Sequence, residues 1–136
     1  MLARDGEGAT VLIRVTVSGA ADRGEARAVA KSIVNSPLVK TMVFGGDPNV
    51  GRLLMAVGKC FGCRVDPDRI GARICGVSVL EDGRRTGFDD AAVRTLLRHD
   101  PVDLEVSLGL GDGWARAWGC DLTHGYVDEN ASYYSS

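Results

Sequence analysis

Only two histidines occur in 136 residues, and aromatic side chains make up 6% of the chain. Scattered serines with so few imidazoles leave no local pairing of a nucleophile with a base, and no His/Cys/Asp/Glu cluster has the spacing of a metal site. No apolar run approaches the length that crosses a bilayer, so a membrane-spanning helix is not expected. The N-terminus has too short an apolar stretch, and too early an acidic residue at Asp5, for a secretory signal. A cytoplasmic location is therefore expected. A basic excess is also missing: 16 Lys and Arg against 18 Asp and Glu give a net charge of −2, with no basic stripe to neutralise phosphates. A nucleic-acid partner is excluded on that ground. Internal repeats, linkers and low-complexity segments are absent. What remains is the composition of one globular domain, 45% hydrophobic and 25% charged, long enough to bury a core.

Four cysteines are present, and Cys60 and Cys63 form a C-x-x-C. That spacing can hold zinc or perform redox chemistry. Cys75 and Cys120, far apart in expected strands, supply no second C-x-x-C, so a zinc ribbon lacks its other half. The pair also closes a helix, whereas a redox-catalytic pair opens one to lower its thiolate pKa. Reduced thiols in or near the core are the expectation.

Taken in order, Ala9 to Val17 alternates, with Val11, Ile13, Val15 and Val17 on one face: a half-buried strand. Asp22 and Glu25 have the spacing of a capping box, and Ala26, Val29, Ala30 and Ile33 follow helical spacing until Asn35-Ser36-Pro37. Local signals are densest from Thr41 to Arg52. Leu38 to Phe44 reads as a strand stopped by Gly45 and Gly46, Asp47 as an N-cap, and Pro48 as the first residue of a helix reaching roughly Val57. A strand, helix and strand in succession imply a crossover. Asp66-Pro67-Asp68 marks a turn, Ala72 to Leu80 a strand, and Asp82-Gly83 a hairpin. Asp89 or Asp90 caps a helix through Leu97, whose negative end suits Arg98 and His99. Val102, Leu104, Val106 and Leu108 give another one-faced strand, which Asp112-Gly113 is expected to fold back on Trp114 to Leu122 as a hairpin. The glycines at 109, 111 and 113 are turn glycines, since no helix follows them to make a dinucleotide fingerprint.

Three segments carry a resemblance. Asp5-Gly6-Glu7-Gly8-Ala9-Thr10, Phe44 to Arg52, and Gly111 to Thr123 with Gly125-Tyr126-Val127 resemble, in order, three motifs of the bifunctional ornithine acetyltransferase / glutamate N-acetyltransferase family of arginine biosynthesis. The departures are Val50 where the family usually has Trp, His124 where it often has Tyr, and an ending from Asn130 to Ser136 that is one residue longer than the family's.

The resemblance implies an α/β (α+β) fold, a mixed sheet with helices mainly on one face, as the C-terminal domain of a longer protein truncated before Met1. It implies acetyl transfer from N-acetylornithine to glutamate through an acyl-threonine. That threonine arises by autocatalytic cleavage upstream, so Ala9-Thr10 is not the cleavage site and this chain holds no catalytic nucleophile. It also implies substrate-binding roles for Glu7, Asn130 and Ser135, with Ser136 a possible replacement for Ser135. A carboxylate can pair with the ammonium group of an amino acid, while a neutral amide and a hydroxyl can hold its carboxylate. No metal or cofactor is implied. The implied partners are an upstream alpha chain, the rest of the beta chain and small amino-acid substrates. An apolar face through Val11 and Ile13 is expected to lie open where the missing segment docks. The rival reading is a non-catalytic partner or small-ligand-binding module that keeps the fold.

Overall fold

The computed structural model describes residues 11–60 and 62–120, with the backbone of Tyr126–Asp128. The alternating run becomes the strand β1 (Leu12–Ala20), and its apolar set, Val11, Ile13, Val15 and Val17, is buried. Two strands flank it. β5 (Val102–Ser107) lies parallel to β1, with Val15 level with Leu104, and β6 (Gly113–Cys120) lies antiparallel, with Val15 level with Ala117. Both contribute the same alternation, burying Leu104, Val106, Ala115 and Ala117 on the β1 core face. Outside β5 come β2 (Gly71–Ile74), β3 (Val77–Glu81) and β4 (Arg84–Arg85); outside β6 comes β7 (Tyr126–Asp128). The mixed seven-stranded order is β4-β3-β2-β5-β1-β6-β7.

The helices are α1 (Arg23–Val34), α2 (Pro37–Gly45), α3 (Val50–Gly58) and α4 (Asp90–Leu96). α1 packs on β1 and β6, and α3 packs on α1 and α2. Ala26, Val29, Ala30 and Ile33 of α1 are buried, as their 3.6-residue spacing requires. Ser32 Oγ donates to Ala56 O at 2.6 Å and ties α1 to α3. The opposite sheet face carries Arg14, Thr16, Glu105, Trp114 and Arg116, all at least partly exposed. The expected α/β fold with one helical layer is therefore present.

Five local expectations are corrected. Leu38 to Phe44 lies within α2, not a strand: Ser36 Oγ accepts from Val39 N, Pro37 opens the helix, and Val39, Met42 and Val43 are buried at helical spacing while Phe44 is 65% exposed. The cap of α3 is Asn49 in place of Asp47, and Asp47 instead reaches Arg94 of α4 at 3.5 Å. Ala72 to Leu80 is two strands, because Cys75-Gly76 turns the chain between them. β5 and β6 form no hairpin, since β1 lies between them. Finally, Val11 and Ile13 are not an open apolar face: they are 3% and 0% exposed, buried within the chain's own core.

The first expected crossover also changes its partner. The strand parallel to β1 is β5, reached only after three helices, the β2–β4 meander and α4. Asp82-Gly83 makes the hairpin as read, pairing Leu80 with Arg85. Asp89 caps α4 by accepting from Ala91 N and Ala92 N. Among the described residues no helix is long and apolar enough to cross a membrane.

Candidate functional site

Glu7, Asn130 and Ser135, with Ser136, lie outside the described residues. What the fold supplies is the scaffold on either side of them. β1 begins five residues after Glu7, and β7 ends two residues before Asn130. The two strands flank β6: Leu12 is level with Cys120, and Asp128 is level with Arg116. β1 and β7 therefore run parallel to each other, so the chain enters β1 and leaves β7 toward opposite ends of β6. β1 is paired on both sides, and its Leu12 N donates to Asp100 Oδ1 at 3.2 Å.

On the open sheet face a groove of about 540 Å³ crosses β2, β5, β1 and β6. Some of the polar side chains on this face pair with one another, Arg14 and Asp103 beside the groove and others in its lining. Arg14 and Asp103, level across β1 and β5, form a bidentate pair at 2.5 and 2.9 Å. Asp103 raises the Arg14 guanidinium above its ordinary pKa, chiefly through that hydrogen bond. Arg116 donates from Nε to Thr16 Oγ1 at 3.1 Å, and its guanidinium lies 5.3 Å from the Trp114 ring centroid. Arg73 and Glu105 are level across β2 and β5. Ser78 Oγ donates to Glu81 Oε2 at 3.1 Å beside the hairpin. These are hydroxyls and charges without an imidazole. His99 closes α4, its N–H donating to Leu96 O, and His124 lies outside the described residues.

The segment from Thr41 to Arg52 proves to be a helix–helix corner. Gly46, in the left-handed region, ends α2, and Asp47 N donates to Met42 O at 2.9 Å, which completes the cap. Asn49 Oδ1 then accepts from Arg52 N at 3.4 Å. One N–H of the first turn of α3 is therefore served by a side chain of this chain, and Asp47 is directed to α4. Sequence reasoning missed this arrangement, although Ser36-Pro37 already carried a second start signal.

The cysteine expectation is also corrected. Cys60 and Cys63 are joined as a disulfide, with Cα atoms 5.8 Å apart, and Cys75 and Cys120 take no part in it. Cys75 stands in the β2–β3 turn, not within a strand. Arg64, the next residue, forms an ionic clamp that the sequence did not reveal. Its backbone N–H and guanidinium both reach Glu25, at 2.6 to 2.9 Å, and its Nη2 reaches Asp22 at 3.1 Å. Asp22 caps α1 as read, accepting from Glu25 N at 2.8 Å, but the Glu25 carboxylate turns to Arg64.

A mixed sheet with one helical layer and a polar open face defines a two-layer α/β fold whose described part holds no assembled nucleophile and base. The family model for the ArgJ family matches residues 1–135. The chain belongs to the ArgJ family. Over 136 residues it is 48% identical to the arginine biosynthesis bifunctional protein ArgJ of Gluconobacter oxydans, covering 99% of this chain and 32% of that protein. Over 133 residues it is 47% identical to the protein of the same name from Halalkalibacterium halodurans, again spanning 32% of it. The crystal structure of arginine biosynthesis bifunctional protein argJ from Bacillus halodurans superposes with a TM-score of 0.81 at 44% identity, covering 98% of this chain and 62% of that one. The chain thus spans about a third of the length of the curated relatives it matches.

Proposed function

We propose that this chain is the C-terminal part of a bifunctional acetyltransferase of arginine biosynthesis. The observation that carries the reading is likeness along nearly the whole chain: 48% identity over 99% of it to a protein named for that role. On this reading a threonine on a preceding segment attacks the acetyl carbonyl of N-acetylornithine, releasing ornithine and leaving an acetyl ester. The amine of glutamate then takes the acetyl group and the threonine hydroxyl is restored. Glu7 holds the reacting amino group, and Asn130 and Ser135 hydrogen-bond the substrate carboxylate. The partners are the upstream alpha chain and the remainder of the beta chain. Transfer needs no cofactor, and the expected compartment is the cytoplasm.

The test is to purify the protein with the chains that accompany it, supply N-acetylornithine and glutamate, and follow N-acetylglutamate. The assembly is expected to turn over, and this chain alone is not. Turnover by the isolated chain would place the nucleophile here and overturn the reading. An inactive assembly that contains the upstream threonine would favour a non-catalytic module. In the active assembly, Glu7→Gln keeps the shape and removes the charge, so kcat/KM should fall about a hundredfold, roughly 2–4 kcal/mol of transition-state stabilisation, at an unchanged melting temperature. Unchanged kcat/KM with a lowered melting temperature would make Glu7 structural.

A further inference from the structure

Cys60 and Cys63 close α3: Cys60 N donates to Val57 O at 3.1 Å and Cys63 N to Cys60 O at 3.3 Å. Both are partly buried against the core, with their sulfurs linked. Arg64 follows at once and grips the first turn of α1 through Glu25 and Asp22. One short corner therefore combines a covalent link and an ionic clamp. The backbone N–H of Arg64 belongs to the clamp, so the path of the chain through Cys63 decides whether that N–H meets Glu25 Oε1.

We propose that Cys60 and Cys63 are a reversible thiol-modification site, a dithiol/disulfide pair whose oxidised form presents Arg64 to α1. The exchange partner is a low-molecular-weight disulfide of the glutathione type. One cysteine thiolate attacks a sulfur of glutathione disulfide, breaking its S–S bond and expelling one glutathione thiolate. The second cysteine attacks the resulting mixed disulfide at the protein sulfur, forming the Cys60–Cys63 bond and expelling the second glutathione. Two protein thiols are oxidised, one glutathione disulfide is reduced to two thiols, and the reverse sequence restores the dithiol. The second step is intramolecular across three residues, which favours the internal link over a lasting mixed disulfide. The site is a responder and not a redox catalyst. The negative end of α3 disfavours a thiolate, and the Arg64 charge is already engaged by two carboxylates.

The test equilibrates the protein, in its native assembly, with glutathione and glutathione disulfide over a wide range of ratios. Free thiols are then blocked with N-ethylmaleimide and mapped by mass spectrometry. The expected result is four blocked cysteines at the reducing end and two, Cys75 and Cys120, at the oxidising end, with the 60–63 link recovered intact. Four blocked cysteines at every ratio, or glutathione retained on Cys60 or Cys63 at the oxidising end, would overturn the proposal. The link to Arg64 is read by amide hydrogen exchange over residues 59–65. Reduction should speed exchange there toward the rate of oxidised Glu25→Ala, which lacks the acceptor for the Arg64 amide. Exchange that stays at the oxidised wild-type rate after reduction shows that the link does not position Arg64.

Discussion

Arg64 holds Glu25 by two kinds of bond, and the carboxylate responds accordingly. The guanidinium hydrogen bonds, followed by the Arg64 backbone N–H, lower the Glu25 pKa below its ordinary value of 4.5. A carboxylate whose folded pKa is depressed stabilises the fold above its unfolded pKa, and that contribution is lost as pH falls through the folded value. An NMR titration should therefore find Glu25 below 4.5 in the native protein and nearer the ordinary value in Arg64→Ala. The stability difference between the two proteins should be present at neutral pH and vanish in acid; a difference that persists below the native Glu25 midpoint would mean that Arg64 acts by packing. A second contrast at this scale separates strain from collision. Gly76 and Gly83 both have positive φ, at 85° and 77°, but a Cβ on Gly76 meets open space, whereas one on Gly83 would lie 2.1 Å from Pro67 O. Gly76→Ala should cost about 1 kcal/mol in a denaturant titration, the usual penalty of the left-handed region, and Gly83→Ala clearly more. Equal costs would show that the hairpin tip moves away from the 67–69 turn at no expense.

Three of the helices begin at caps of graded quality. Asp22 accepts from Glu25 N at 2.8 Å and also binds Arg64, Ser36 is buried and accepts at 3.2 Å, and Asn49 accepts at 3.4 Å in the open. Loss of a cap costs about 0.5–2 kcal/mol, so Asp22→Ala should fall near the upper limit and Asn49→Ala near the lower. Urea midpoints of the two variants check that order, and the reverse order would remove the clamp from the account of α1. The same caps explain what was legible. α1 was readable because a capping residue precedes an apolar stripe wide enough to show its period, and α4 from its capping aspartate and the basic residues at its end. α2 was not, since Leu38 to Phe44 is a short apolar run with Val39, Thr41 and Val43, which suits a buried strand as well as a helix. Its start signal, Ser36-Pro37, was used up as the end of α1. Reading Ala72 to Leu80 as one strand failed for a similar reason: Cys75, at φ 51°, and Gly76 reverse the chain inside a run whose apolar residues continue on both sides of the turn.

At the scale of the whole molecule, alternation revealed which face of β1, β5 and β6 is buried, because burial imposes a period of two on each strand separately. Strand order is a different kind of fact. The turn residues at 109–113 suggested that β5 and β6 pair with each other, yet each pairs with β1, about ninety to a hundred residues earlier in sequence. No local signal encodes that insertion. Similarly, Glu7, Asn130 and Ser135 came from a family resemblance, and the described fold contributes only the β1–β6–β7 unit beside them. Strand order can be tested with introduced cysteine pairs on the open face. Thr16 and Arg116 are directly opposite across β1 and β6, where Cβ atoms lie about 4.5–5.5 Å apart, within reach of a disulfide. Glu105 is level with Thr16 on the far side of β1, so it stands two strand spacings from Arg116, about 9.5 Å. Thr16→Cys with Arg116→Cys should cross-link under mild oxidation, and Glu105→Cys with Arg116→Cys should not, as read by non-reducing peptide mapping. If the second pair cross-links and the first does not, β5 and β6 are neighbours and β1 does not lie between them.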